Sequence, residues 1–172
     1  MNPIIMPIGG KTPRIAESAY IAPTATVIGD AEIGEEASIW FGCILRADGN
    51  LVRVGARSNI QDGTVIHTNG RNDGTLIGAD VTVGHMVMLH GCILEDRAFV
   101  GMGAMVMDDA VVESGGMVAA GALVPPRKRI PAGELWGGRP ASFLREIDVD
   151  QATSMAYATD HYVELMRAYR DA

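Results

Sequence analysis

Aliphatic residues recur at intervals of six along most of this chain. Ile21, Val27, Ile33, Ile39 and Leu45 hold one phase. The phase slips by three at Leu51–Val54, continues through Ile60 and Ile66, and returns after an insertion at Ile77, Val83 and Leu89. One residue is then dropped, and Val100, Val106, Val112, Val118 and Val124 complete the series. Glycine often follows, as at Gly34, Gly55, Gly78, Gly84 and Gly101, and small residues such as Ala37, Ser58, Val81 and Ala104 recur near the fifth position. A period of six fits neither an amphipathic helix nor an alternating strand. It fits a short strand plus a turn, repeated, with three units closing a triangular coil and successive coils stacked in parallel register. About 17 units between Ile21 and Val124 predict five to six coils and a prism roughly 27 Å tall. An ordinary sandwich of short strands has no reason to keep a six-residue phase for so long.

The prism is expected to occupy residues 1–130 with an N-terminal extension, stopping near Val124-Pro125-Pro126, where prolines cannot continue a ladder. A Gly/Pro-rich connecting segment, 131–149, contains Trp136-Gly137-Gly138-Arg139-Pro140-Ala141. From 150 to 172 the pattern is helical: Met155, Ala158, Tyr162, Met166 and Tyr169 form an apolar stripe that a side of the prism would cover, and Asp150 or Thr153 could cap its start. All three parts belong to one all-β domain with an attached helix.

Composition sharpens this. Glycine accounts for 21 of 172 residues while aromatics make up 5 %, so the interior must be aliphatic and narrow. The net charge of −7 argues against nucleic acid and against an anionic membrane surface as partners. No apolar run reaches the length of a membrane span, and the first ten residues lack a signal-peptide pattern, so a cytoplasmic location is expected. Cys43 and Cys92, 49 residues apart, form neither a metal-binding pair nor a disulfide framework. The methionines around Met86, Met88, Met102, Met105 and Met107 are expected to fill core gaps.

Three of the four histidines, His67, His85 and His90, fall within 24 residues. His67 follows Ile66 and His90 follows Leu89, and these lie three units apart once 68–74 is looped out. The two rings therefore stack on one face. His85 takes the third position of its unit and belongs to another face. One protomer cannot easily bring all three to one ion, but side-by-side prisms around a threefold axis can. Arg46 falls beneath His67 in the same column, and Asp62 beneath His85, so an Arg46 face of one copy would meet an Asp62 face of the next. Three neutral imidazoles with an open fourth position form a catalytic zinc pattern, because they leave the metal's charge uncompensated and acidify bound water.

These residues carry a resemblance. Arg46-Ala47-Asp48, Asn59-Ile60-Gln61-Asp62, His67, the run from His85 to Cys92, Gly101-Met102-Gly103-Ala104 and Gly138-Arg139-Pro140-Ala141 resemble the gamma-class carbonic anhydrases and their bacterial relatives, a family of trimeric left-handed β-helices. The likeness runs from Ile21-Ala22-Pro23 through the C-terminal helix. It implies a homotrimer in which His67 and His90 of one subunit and His85 of the next hold zinc, with iron or cobalt as alternatives, and reversible hydration of CO2 to bicarbonate. Gln61 would orient the metal-bound hydroxide or CO2, Asn59 would support the site, and Arg46, Asp48 and Asp62 would make intersubunit polar contacts. Tyr162 looks like the helix tyrosine that approaches the pocket in related members; packing of the helix is the other reading of it. The sequence departs from the pattern where a glutamate directly follows Arg-x-Asp, here Gly49, and in the loop after the first histidine, Thr68–Gly74, whose one acid is Asp73. His161 and Asp73 are the candidate replacements for proton transfer. Two other functions remain open at this level: a coenzyme A-dependent acyltransferase or thioesterase, which prisms of this kind commonly host, and a non-catalytic metal-binding trimeric scaffold.

Overall fold

The computed structural model describes residues 2–71 and 74–171. It is a left-handed parallel β-helix with one C-terminal helix. On the first face lie Ile4–Met6, the start of Thr26–Ile33, the start of Ile44–Val54, then Val65–His67, Met88–His90, Met105–Val106 and Leu123–Val124. The two long strands bend round a corner, which joins this face to a second one running from Arg14–Ile15 to Arg129–Ile130. A third face runs from Tyr20–Ile21 to Glu134–Gly137, and Ser142–Glu146 closes it as an antiparallel strand.

The prism has about seven turns rather than five to six, or about 34 Å at one strand spacing per turn. Coils were missed at both ends because Ile4–Met6 and Arg14–Ile15 precede the six-residue phase. Beyond Val124, Arg129–Ile130 and Glu134–Gly137 pair in register with the coil before them. Pro125 and Pro126 do not break the ladder, since they follow Leu123–Val124, the last strand of the first face, and no further strand of that face lies beyond to receive an N–H from them.

The core follows the repeat. Apart from half-buried Leu51 at the phase slip, each aliphatic residue of the series from Val27 to Val124 is at most 3 % exposed; Ile21, on an end coil, is partly open. Ala37, Ser58, Val81 and Ala104 are fully buried where the chain turns between faces. Aromatic rings stay outside the prism: Tyr20, Trp40, Phe41, Tyr162 and Tyr169 form one cluster beneath and beside the helix. Both cysteines are buried and free, and burial pushes each thiol up to about 12.

Corners need a left-handed residue, and glycine is not always chosen. Along the corner between the third and first faces, Gly42, Gly63, Gly103 and Gly121 take positive φ in successive turns. Met86, beside His85, takes the equivalent place at φ 59°.

The helix runs Val149–Arg170 along the third face, antiparallel to the direction of coil growth. Its cap is Asp148, which accepts from the Gln151 N–H at 2.8 Å, so it begins before either expected cap. The face it buries is Met155, Thr159, Val163 and Met166; Ala158 and Tyr162 are half-buried and Tyr169 is exposed. Arg57 ties Asp80 to Asp160, and Arg167 pairs with Glu36, so charges fix the helix at its middle and near its C-terminal end. No helix among the described residues is long and apolar enough to cross a membrane.

Candidate metal centre

His67 and His90 are Cα partners on adjacent strands, and Arg46 is the partner of His67 on the strand below. Period-two alternation sends Ile66 and Leu89 inward, so both imidazoles project from the first face. His67 Nδ1 lies 3.1 Å from His90 Nε2. The outer nitrogen of each ring meets a carboxylate: His67 Nε2 is 3.1 Å from Asp48 Oδ1, and His90 Nδ1 is 2.9 Å from Asp108 Oδ1. Arg46 holds the other oxygen of Asp48 at 2.5 Å.

This donor set fits a cation. A neutral imidazole has one N–H, and a carboxylate accepts only. If each outer nitrogen donates to its carboxylate, the two facing nitrogens both present lone pairs at 3.1 Å, an arrangement that needs a positive charge beside it. A tetrahedral ion with bonds of about 2.0–2.1 Å to nitrogen would separate two ligand atoms by roughly 3.3 Å. Carboxylates behind metal-bound histidines fix the tautomer and raise ligand basicity.

The carboxylates themselves are held ionised. The Arg46 hydrogen bond, helped by His67, keeps Asp48 below the usual range. At Asp108 burial works in the opposite direction, but hydrogen bonds from Asn69 and His90 outweigh it and the net shift is downward. Asp108 and Asn69 were missed by sequence reasoning. They come from the turn beyond Met107 and from the loop after His67, so neither falls in the histidine column. The available signal was that Asp108 sits one coil beyond His90 and one place past it.

His85 stands apart from that pair. It lies in the corner turn, with Nδ1 2.9 Å from Asp62 Oδ2, one coil below it. Among the described residues no three His, Cys, Asp or Glu side chains converge to hold a metal within one chain. Asp62 therefore contacts His85, and Arg46 contacts Asp48, inside the protomer.

Gln61 is buried and donates its side-chain amide to Asn59 Oδ1 at 3.0 Å; Asn59 donates in turn to Thr82 Oγ1 at 2.9 Å. Tyr162 packs edge-on against Trp40 with ring centres 5.3 Å apart. Burial, and next the charge of Asp62, push its phenol up. His161 stacks on Tyr157 and meets Tyr162 edge-on. Asp73, the acid expected in the loop, lies outside the described residues. Gly49 is exposed, and a Cβ there would stand 3.4 Å from the hydroxyl of Thr68, a buried group without a hydrogen-bond partner among the described residues. Met86 and Met102 are 75 % and 58 % exposed on the His85 corner, so these two do not fill core gaps.

No family model matches the chain. It is 45 % identical over 170 residues to gamma carbonic anhydrase 2, mitochondrial, of Arabidopsis thaliana, covering 96 % of this chain and 61 % of that protein. The chain thus spans about three fifths of the plant relative. It is 43 % identical to a carbonic anhydrase of Geobacillus kaustophilus, covering 97 % of this chain and 91 % of that one. Protein YrdA of Escherichia coli is 40 % identical, with 99 % and 96 % covered. Among solved structures, a proposed acetyltransferase of Bacillus cereus superposes with a TM-score of 0.97 at 38 % identity, covering 99 % of both chains. A hexapeptide transferase family protein of Anaplasma phagocytophilum gives 0.93 at 45 %, covering 96 % of this chain and 98 % of that one.

Proposed function

The chain belongs to the gamma carbonic anhydrase family, and from that membership we propose that it reversibly hydrates CO2 to bicarbonate in a homotrimer, at a metal shared by His67 and His90 of one protomer and His85 of another. The observation that carries the reading is the pair of imidazole nitrogens facing each other at 3.1 Å, each ring backed by a carboxylate. Zinc there, or iron or cobalt, would supply a positive charge that lowers the pKa of a bound water towards about 7 and makes it a nucleophile at neutral pH.

The residues of the chain do the rest. Asp48 and Asp108 hold the outer N–H groups, so the lone pairs point inward. Asp62 does the same for His85, which leaves Nε2 of that ring as the atom free to bind a metal. Gln61 spends its amide N–H on Asn59, which leaves Oε1 to accept from a donor in the site and orient it. Tyr162 lines the helix side, packed edge-on against Trp40. A second copy is favoured by what flanks the histidines: Ile44, Met86 and Met102 are all large, apolar and exposed.

Stopped-flow hydration of CO2 by metal-loaded protein, with metal analysis and sedimentation, tests this. The expected result is a trimer with hydration above the buffer rate; no such rate at full metal occupancy removes the proposal. The acetyltransferase description of the Bacillus cereus structure supports acyl transfer from coenzyme A as a second reading. Acyl transfer needs one histidine base and leaves the paired, carboxylate-backed imidazoles without a purpose; coenzyme A binding by calorimetry would favour it. A non-catalytic scaffold would instead lose trimer stability on His85→Ala while showing no CO2 chemistry before or after.

A further inference from the structure

Behind Gln61 a line of buried polar side chains crosses the third face to the helix. Gln61 Nε2 donates to Asn59 Oδ1 at 3.0 Å, Asn59 Nδ2 to Thr82 Oγ1 at 2.9 Å, and Thr82 Oγ1 meets Thr159 Oγ1 at 3.3 Å. Thr159 ends the line against two backbone carbonyls, Asp80 O at 3.3 Å and Met155 O at 3.4 Å. Each of the four side chains is at least nine-tenths buried. A polar chain of this kind is costly unless all of its members are satisfied.

The line has a direction, and its far end sets it. Carbonyl oxygens accept only, so the single hydrogen of Thr159 is drawn to Asp80 O and Met155 O. Its oxygen is then an acceptor for Thr82. Thr82, having given its hydrogen to Thr159, can only accept from Asn59, which must turn Nδ2 towards it. Asn59 Oδ1 therefore faces Gln61, and Gln61 must answer with Nε2. The reverse sense would leave the Thr82 and Thr159 lone pairs facing each other, or strip a carbonyl of its donor. An amide has no intrinsic preference between its two orientations, and here the preference comes from a hydroxyl three residues away along the line.

We propose that Thr159, on the C-terminal helix, is a positioning residue that fixes the Gln61 amide with Oε1, not Nε2, presented to the reaction site. The helix then does more than cover the prism. It polarises a relay that makes Gln61 an acceptor, able to hold an O–H of the attacking group with its lone pairs turned to carbon. With the amide reversed, Gln61 would donate to that oxygen and compete for the same lone pair. The inference rests on the CO2-hydrating reading only for its effect on rate; the amide orientation stands on the hydrogen bonds alone.

The chain has two glutamines, Gln61 and Gln151, so selective 15N-glutamine labelling gives two side-chain NH2 pairs, with half-buried Gln151, which lies outside the line, as the internal reference. Thr159→Val keeps the shape and removes the hydroxyl; Thr159→Ser keeps the hydroxyl. In the metal-loaded protein, Thr159→Val is expected to move the Gln61 pair or split it into two populations and lower kcat about tenfold. Metal content and trimer mass should stay unchanged, and Thr159→Ser should restore both the spectrum and the rate. An unmoved Gln61 pair in Thr159→Val, or a serine variant as impaired as the valine one, overturns the proposal. A Gln61 pair that moves in Thr159→Val, with a wild type that hydrates no CO2, removes the catalytic reading and leaves the positioning role standing.

Discussion

Asp108 reaches His90 Nδ1 at 2.9 Å from a turn one coil away, and the same carboxylate accepts from Asn69 in the loop after His67. One acid thus holds a candidate ligand and ties it to the loop that follows the other. Carboxylates of this kind are worth roughly 10- to 100-fold in metal affinity. Asp108→Asn should weaken zinc binding by about that factor and leave the melting temperature of the metal-free chain nearly unchanged. His90→Ala should abolish stoichiometric binding altogether. Competition against a chromogenic chelator measures both; equal affinity in Asp108→Asn and wild type would remove Asp108 from the site.

Met86 occupies a left-handed corner at φ 59° where the coils above and below use Gly63 and Gly103. A side chain in that region costs about 1–2 kcal/mol relative to glycine, and glycine returns part of it as chain entropy. Met86→Gly should therefore stabilise the isolated protomer by about 1 kcal/mol while weakening association, since an exposed apolar side chain is lost beside His85. Urea denaturation together with dilution sedimentation separates the two effects. A destabilised protomer would show that Met86 packs against more than its exposure indicates.

The repeat and the histidine stacking were legible because both follow from register. Ile66 and Leu89 had to point inward to bury their side chains, and that placed His67 against His90 and Arg46 beneath them. The placement of Asp62 one coil beneath His85 followed from the same column count. What register does not encode was missed. Asp108 and Asn69 reach the site from turns, whose direction depends on the corner and not on the six-residue phase. The end coils lack the repeat because each has only one neighbour to match, so Ile4–Met6 and Glu134–Gly137 joined the prism unannounced. The helix stripe was read one step off, since Thr159, a polar residue, is buried where Ala158 was expected. A hydroxyl paired inside the interface carries no hydrophobic signal.

Helix docking carries a pH dependence. Arg167 pairs with Glu36 at the far end of the helix, and its hydrogen bond holds the Glu36 carboxyl below the ordinary glutamate range. A carboxylate with a lowered folded pKa contributes its stability fully above the unfolded value, about 4.3, and loses it as pH falls through the folded value. Both side chains are substantially open to solvent, so salt screens the pair. Glu36→Gln should melt below wild type at pH 7 and low salt, and the gap should close below about pH 4 and in high salt. A gap that persists at low pH would assign the effect to packing.

Gly49 bears on proton transfer. The position is exposed, its φ is not left-handed, and a Cβ would meet Thr68 Oγ1 at 3.4 Å, an ordinary contact. A side chain there is therefore tolerated by the backbone. The gamma-class pattern has glutamate directly after Arg-x-Asp, and a general acid–base group in reach contributes roughly 10²- to 10⁴-fold where proton transfer limits the rate. Without it, the wild-type chain must pass its proton to solvent buffer, so kcat should rise with imidazole concentration at fixed pH and ionic strength. Gly49→Glu should raise kcat at low buffer and flatten that dependence. The new carboxylate would begin beside the Thr68 hydroxyl, which has no partner among the described residues, and offer it an acceptor, so Thr68→Val should erase part of the gain. A wild-type rate already independent of buffer would mean that another group, with His161 on the neighbouring helix the first to test, moves the proton unaided.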